Sequence, residues 1–144
     1  MKRHEALAPL SRDHHATLIL AQLMKKNAPL YNGLPDNAKD KARYAIEQFE
    51  THIRPHFQLE EAMLGKVKHI HPSIKILAAE IEAEHRVLSH LFQSLADVND
   101  PVIIMNELAL KLTDHIRKEE RVLFPLLQQH CNDNVLAEIH ALLH

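Results

Sequence analysis

Four long segments of the chain repeat apolar residues at the three- and four-residue spacing of one face of an α-helix. No stretch alternates apolar and polar residues over the length of a β-strand, so the sequence favours an all-α fold. Turn residues separate the segments, as in PLYNGLP at 29–35 and VNDP at 98–101. Four helices joined by short connections predict an up-down-up-down bundle.

The predicted helices define one domain, 1–144, with a core bundle over about 7–130. A short C-terminal helix follows the bundle. The four bundle helices and this tail helix are expected at about 10–27, 36–65, 73–97, 100–130 and 134–143.

Cap residues and prolines mark the expected boundaries of these helices. Asp36 and Asp100 are expected to cap the second and fourth helices, and Gly65 is expected to end the second. Pro55 and Pro125 fall inside helical pattern, so each is expected to kink or interrupt its helix.

Histidine and glutamate interrupt each apolar seam near its middle. The second and fourth seams carry a histidine followed four residues later by a glutamate, and the first and third carry a single histidine. In the first segment we favour His14 over His15, whose register continues to Gln22 and Lys25. The sequence therefore predicts six polar residues at one level of the bundle: His14, His56, Glu60, His85, His115 and Glu119.

Buried glutamates require a positive partner. A buried carboxylate is costly unless it is paired or coordinates a metal, and the predicted seams contain no lysine or arginine. A histidine and a glutamate four residues apart lie on one helix face, about 6 Å apart along the axis. Imidazole suits iron, zinc and copper, and a carboxylate can bridge two ions about 3.5–4 Å apart.

Four imidazoles and two carboxylates therefore predict a two-metal site. Two iron ions with two glutamates and one bridging oxo or hydroxo group leave a small net charge, which suits a buried site. This balance supports two irons as the cofactor, with zinc or manganese as the less favoured alternatives.

The order of these motifs resembles the hemerythrin-like family, also called the HHE cation-binding domain, in its bacterial-type branch. The matching stretches are SRDHHATL, HFQLEEAML, EAEHRVL and HIRKEERVLFP. The resemblance implies a non-haem di-iron centre in a four-helix bundle, with Glu60 and Glu119 as bridges. It assigns the histidines of the first two helices to one iron and those of the last two to the other.

Ser89 is the one informative departure from the oxygen-carrying hemerythrins. Those proteins place a second histidine four residues after the histidine of the third helix, and here that position is Ser89. The departure argues against reversible oxygen transport. We therefore expect a protein that binds or senses oxygen, nitric oxide, a peroxide or iron status. The alternative is an iron-dependent enzyme that breaks down peroxide or reduces nitric oxide.

The sequence leaves two possible roles open for each of three other polar residues near the predicted site. His52, one turn before His56, is either a further ligand or a residue at the edge of the seam. Glu61 and Glu120 are expected in solvent, and the alternative is a hydrogen bond to a ligand histidine.

Charge and composition exclude several classes of protein. A net charge of -2 argues against a nucleic-acid footprint and against a polybasic membrane surface. No apolar run approaches the roughly 20 residues that span a bilayer, and Arg12 and Asp13 interrupt the region of a signal peptide. The single Cys131 favours a reducing compartment, so the cytoplasm is expected. A sensor without an appended output segment would need a separate protein partner, which the sequence does not identify.

Overall fold

A computed structural model describes residues 2–144, and every regular element in this range is helical, which confirms the all-α prediction. None of these helices is both long enough and apolar enough to cross a lipid bilayer. A short 3-10 helix, Glu5–Leu7, precedes the first bundle helix. The α-helices are α1 (Ala8–Met24), α2 (Ala38–Gln48), α3 (Arg54–Val67), α4 (Pro72–Ser94), α5 (Val102–Lys118), α6 (Phe124–His130) and α7 (Asp133–Leu143).

Two π-helical turns join pairs of these α-helices into continuous bundle helices. The turn Phe49–Ile53 joins α2 to α3, and the turn Glu119–Leu123 joins α5 to α6. The four bundle helices are thus α1, α2 with α3, α4, and α5 with α6. Helix α5 packs against α1 and α4, and α4 packs against α3, as the predicted bundle requires.

The observed helix ends correct three predictions. Pro101, not Asp100, is the N-cap of α5, and Asp100, one residue earlier, accepts a 3.1 Å hydrogen bond from the Val102 N–H.

Asn37 caps the second bundle helix instead of Asp36, because its side chain accepts a 3.0 Å hydrogen bond from the Asp40 N–H. Gly65 lies inside α3, which continues for two residues because Val67 is buried in the core. A glycine in a helix interior costs only about 1 kcal/mol relative to alanine, and packing offsets that cost.

Pro55 and Pro125 each follow a π-helical turn. The N–H of Arg54 donates to the carbonyl of Phe49, five residues earlier, immediately before Pro55. The same arrangement precedes Pro125. Because proline has no N–H and suits the first turn of a helix, a new α-helical stretch begins at that point. The predicted interruption is therefore a local widening of the helix.

The π turn of the fourth bundle helix changes which residues face the core. Counting from Leu108 at helical spacing predicts burial of Val122 and Leu126. Val122 is instead 51% exposed, and the fully buried residues are Leu123 and Leu127. The prediction is wrong because a π turn adds one residue and shifts the buried face by that residue.

Two apolar clusters lie on either side of the polar level along the bundle. One contains the C-terminal half of α1, α2 and the start of α5, around Phe49 and Phe92. The other contains the N-terminal end of α1, the start of α4 and the tail helix α7, around Met63 and Phe124. The polar residues in between are thereby isolated from solvent along the bundle axis.

Truncation of Phe92 tests the assignment of the first cluster. Its ring is fully buried and stacks on Phe49, with centroids 4.9 Å apart. We expect Phe92→Ala to lower the free energy of unfolding in urea by about 3–5 kcal/mol, through lost burial and a residual cavity. The control Ile103→Ala, at a residue that is 75% exposed, should change it by less than about 0.5 kcal/mol. Similar losses in the two variants would contradict the assigned core.

Candidate metal centre

All six predicted site residues meet between the two apolar clusters. His15, the alternative in the first helix, is exposed, and so is His52. The exposed fractions of the six are 3% for His14, 6% for His56, 0% for Glu60, 2% for His85, 3% for His115 and 0% for Glu119.

Helical spacing brings each histidine–glutamate pair together. In α3, Nε2 of His56 lies 3.3 Å from Oε2 of Glu60, one turn later. In the fourth bundle helix, Nε2 of His115 lies 3.0 Å from Oε1 of Glu119, the first residue of the π turn. Residues four apart on a helix share a face, so both pairs point into the bundle.

The histidines of the other two helices complete the site across the bundle. Nε2 of His85 lies 3.0 Å from Oε1 of Glu60. Nε2 of His14 lies 3.1 Å from Oε1 of Glu119 and 3.5 Å from Oε2 of Glu60. Each glutamate therefore contacts histidines from more than one helix.

The donor atoms fall into two groups that share both glutamates. Within each group, the ligand atoms all lie within 4.8 Å of one another. The first group adds His14 and His56 to Glu60 and Glu119, and the second adds His85 and His115 to the same glutamates. This is the division that the family resemblance implies. A carboxylate that belongs to both groups is placed to hold two ions at once.

Unsatisfied polar atoms show that the site suits a cation. Within residues 2–144, the buried side-chain nitrogens and oxygens that lack a hydrogen-bond partner all belong to this site. They include Nε2 of His14, His56 and His115 and oxygens of both glutamates. Buried polar atoms are almost always paired, and leaving one unpaired is costly. A metal ion accepts electron pairs from nitrogen and oxygen alike, so it fits this donor set.

A second layer of carboxylates holds the histidines from behind. In three cases the Nδ1–H, on the side of the ring away from Nε2, donates to a carboxylate oxygen. These bonds join His56 to Asp13 at 2.9 Å, His85 to Glu61 at 2.9 Å and His115 to Glu84 at 2.7 Å. We call Asp13, Glu61, Glu84 and Glu120 the outer carboxylates.

Glu120 is the fourth outer carboxylate, and its contact with the His14 ring is longer than the other three. One of its oxygens lies 3.7 Å from Nδ1 of His14, and Ser11 donates a 2.7 Å hydrogen bond to the carboxylate. Arg3 lies 3.6 Å away on the other side. Glu120 is thus fixed beside His14 by neighbours from the N-terminal segment.

The outer carboxylates form a closed cycle around the bundle. Each is adjacent in sequence to one of the six site residues, and each contacts the histidine of the next bundle helix. Sequence reasoning allowed this role for Glu61 and Glu120 but missed it for Asp13 and Glu84. The available signal was the acidic residue directly before His14 and before His85.

The charge balance of the buried site keeps His14, His56 and His115 protonated when no cation is bound. Burial lowers the pKa of these three histidines, but nearby carboxylates outweigh that effect. For His14 the contact with Glu119 is the largest such contribution, and the pKa rises to about 12. The same balance raises the pKa of His56 to about 9 and that of His115 to about 10.

The two glutamates are shifted in opposite directions. Burial and the charge of Glu60 raise the pKa of Glu119. Burial also acts to raise the pKa of Glu60, but the charge of His56 outweighs it and holds the pKa well below its usual range. Imidazolium groups thus supply the positive charge that the buried carboxylates require, and a metal would replace those protons.

The comparisons with known proteins identify the family of the chain. The family model of the hemerythrin HHE cation binding domain matches residues 5–127. No curated protein and no solved structure matches the chain significantly. The matched region contains the six site residues and all four outer carboxylates. The chain therefore belongs to the hemerythrin HHE cation-binding domain family.

Proposed function

We propose that this protein holds two iron ions and binds or senses a small ligand, such as oxygen, nitric oxide or a peroxide, or reports iron status. The observation that carries the proposal is the pair of donor groups that share Glu60 and Glu119. Membership of a cation-binding family supports the presence of a metal. The proposed cofactor is a pair of irons with an oxo or hydroxo bridge.

The donor set supports iron and leaves room for a ligand. Each group offers two imidazole nitrogens and two carboxylate oxygens, a mixture that suits iron. In this proposal Glu60 and Glu119 bridge the ions, His14 and His56 bind one, and the histidines of α4 and α5 bind the other. Iron, when bound, supplies redox chemistry and open coordination positions.

The outer carboxylates orient the imidazoles. A carboxylate that accepts the Nδ1–H of a histidine fixes the tautomer in which Nε2 carries the lone pair once a metal has replaced the Nε2 proton. In His56, His85 and His115, that Nε2 lies within 3.3 Å of a glutamate oxygen at the centre. These three side chains are therefore held ready to bind a metal without rearrangement.

A small cavity borders the centre, and we call it the inner cavity. Its volume is about 10 Å³, close to the minimum for one water-sized occupant. It is bordered by His14, His56 and Glu119 and is otherwise closed mainly by apolar side chains such as Phe57 and Leu112. The small volume favours a ligand of two or three atoms.

Binding is favoured over catalysis by the lining of the inner cavity. Within residues 2–144, Thr17 is the one polar residue that lines the inner cavity without belonging to the six-residue site. Its hydroxyl donates a 3.0 Å hydrogen bond to the carbonyl of Asp13 within α1. No acid beyond the proposed ligands borders this cavity in residues 2–144, and peroxide breakdown requires proton delivery.

Metal stoichiometry tests the shared role of Glu60. Protein loaded anaerobically with ferrous iron should contain about two irons per chain, as a bridged two-metal site requires. Glu60→Gln should reduce the tight binding of both ions together, because the residue belongs to both donor groups. His15→Ala, at the exposed neighbour of His14, is the matched control and should retain both ions. Two tightly bound irons in Glu60→Gln would refute the bridging role.

The role of the outer carboxylates is tested by Asp13→Asn. Loss of the charged acceptor behind His56 should weaken metal binding by about 10–100-fold, as measured by competition with a chelator. The control is Asp97→Asn, an exposed residue in the turn that follows α4. Equal affinity in the two variants would show that Asp13 does not support His56.

A further inference from the structure

The inner cavity needs a passage to solvent if a ligand is to reach it. All six site residues are at most 6% exposed, so the centre is not open to the surface directly. Three larger surface cavities lie around it, and each has a different relation to the inner cavity. The lining residues that each shares with the inner cavity show which one adjoins it most extensively.

One surface cavity adjoins the inner cavity along a continuous wall. It has a volume of about 360 Å³ and lies between α1 and the first π turn, and we call it the outer cavity. Thr17, Ile53 and His56 line both the outer and the inner cavity. These side chains therefore form the partition between solvent and the centre.

The other two surface cavities are separated from the inner cavity more completely. The cavity beside Glu84, of about 450 Å³, shares only His115 with the inner cavity. The cavity beside Ser89, of about 270 Å³, shares only Phe57, whose ring stacks on His85 at 4.0 Å. Entry from either side would have to displace a site histidine or this stacked ring.

The partition of the outer cavity includes a residue of the first π turn. Ile53 is 3% exposed and is the last residue of the π turn. Pro55 lacks an N–H, so that turn has one backbone hydrogen bond fewer than a regular helix. A segment with fewer hydrogen bonds opens locally at lower free energy. A rotation of the Ile53 side chain therefore requires no break in the α-helices on either side.

The chemistry of the outer cavity selects against anions. With histidine neutral, the one charged residue among the described residues that line the outer cavity is Asp13, whose charge is negative. The hydroxyl hydrogen of Thr17 is used within α1, so the partition offers no free donor to a charged species. These features favour a neutral diatomic molecule over azide or another small anion.

We propose that a neutral diatomic ligand enters through the outer cavity and that Thr17 and Ile53 form the gate to the metal centre. The inference rests on the proposed function, because it requires that a small ligand binds at the centre. It adds the path, the residues that control the rate and the charge class of the ligand.

Nitric oxide mixed with ferrous-loaded protein in a stopped-flow spectrometer tests the gate. We expect Ile53→Phe and Thr17→Leu to slow association by about tenfold, and Ile53→Ala to accelerate it. A substitution in a gate changes the energy barrier for entry and for exit by the same amount. The association and dissociation rate constants should therefore change by the same factor, and Kd should stay constant. Val87→Phe and Ser89→Phe, in the other two surface cavities, are the controls and should keep the wild-type rate.

The outcomes separate the gate from the proposed function. Iron content and the final nitric oxide spectrum show whether each variant retains an intact centre. Wild-type rates in intact Ile53→Phe and Thr17→Leu, or slowing by Val87→Phe or Ser89→Phe, would overturn the gate and leave the ligand-binding function standing. A wild-type protein that loads iron but forms no adduct with either nitric oxide or oxygen would overturn the gate together with ligand binding at the centre.

A second measurement needs no metal. Crystals of metal-free Ile53→Ala under xenon pressure should show xenon where the inner and outer cavities join, because the truncation merges them into an apolar space. The matched variant Val87→Ala should show none at that position. Two results in Ile53→Ala would contradict a path through the outer cavity. One is the absence of xenon where the inner and outer cavities meet, and the other is xenon bound next to Val87 instead.

Discussion

Two buried carboxylates, Glu60 and Glu119, are the constraint on which the rest of this structure depends. They lie at the centre of a helical bundle with no exposed surface, and their oxygens lack full hydrogen bonding. Such groups are tolerated only beside positive charge. Protonated histidines meet that need in the metal-free protein, and in the proposed holoprotein two metal ions would meet it without the protons. The same residues thus serve the stability of the bundle and its proposed function.

The outer carboxylates extend this constraint to the whole bundle. Each links its own helix to the histidine of the next, so the cycle passes through all four bundle helices. A shift of one helix along its axis would break two links at once. The two π turns flank the polar level on opposite sides, one ending before His56 and one beginning at Glu119. Irregular helix geometry is therefore concentrated where side chains must be aimed with most accuracy.

Periodicity predicted the helices, and it distinguished His14 from His15, because burial in a bundle follows helical spacing closely. The register beyond Glu119 was missed, since Pro125 signals an irregularity but does not say that a residue is inserted before it. Asp36 and Asn37 are both good caps, so the sequence alone could not choose between them. Asp13 and Glu84 were missed because a contact across helices depends on ring orientation, which spacing within one helix does not encode.

The central claim is that both glutamates are shared by two ions, and anomalous diffraction at the iron edge of iron-loaded crystals tests it directly. The account predicts two peaks about 3.5–4 Å apart. One peak should lie next to His14 and His56, the other next to His85 and His115, and both should contact Glu60 and Glu119. A single peak, or iron bound at other residues, would contradict the account.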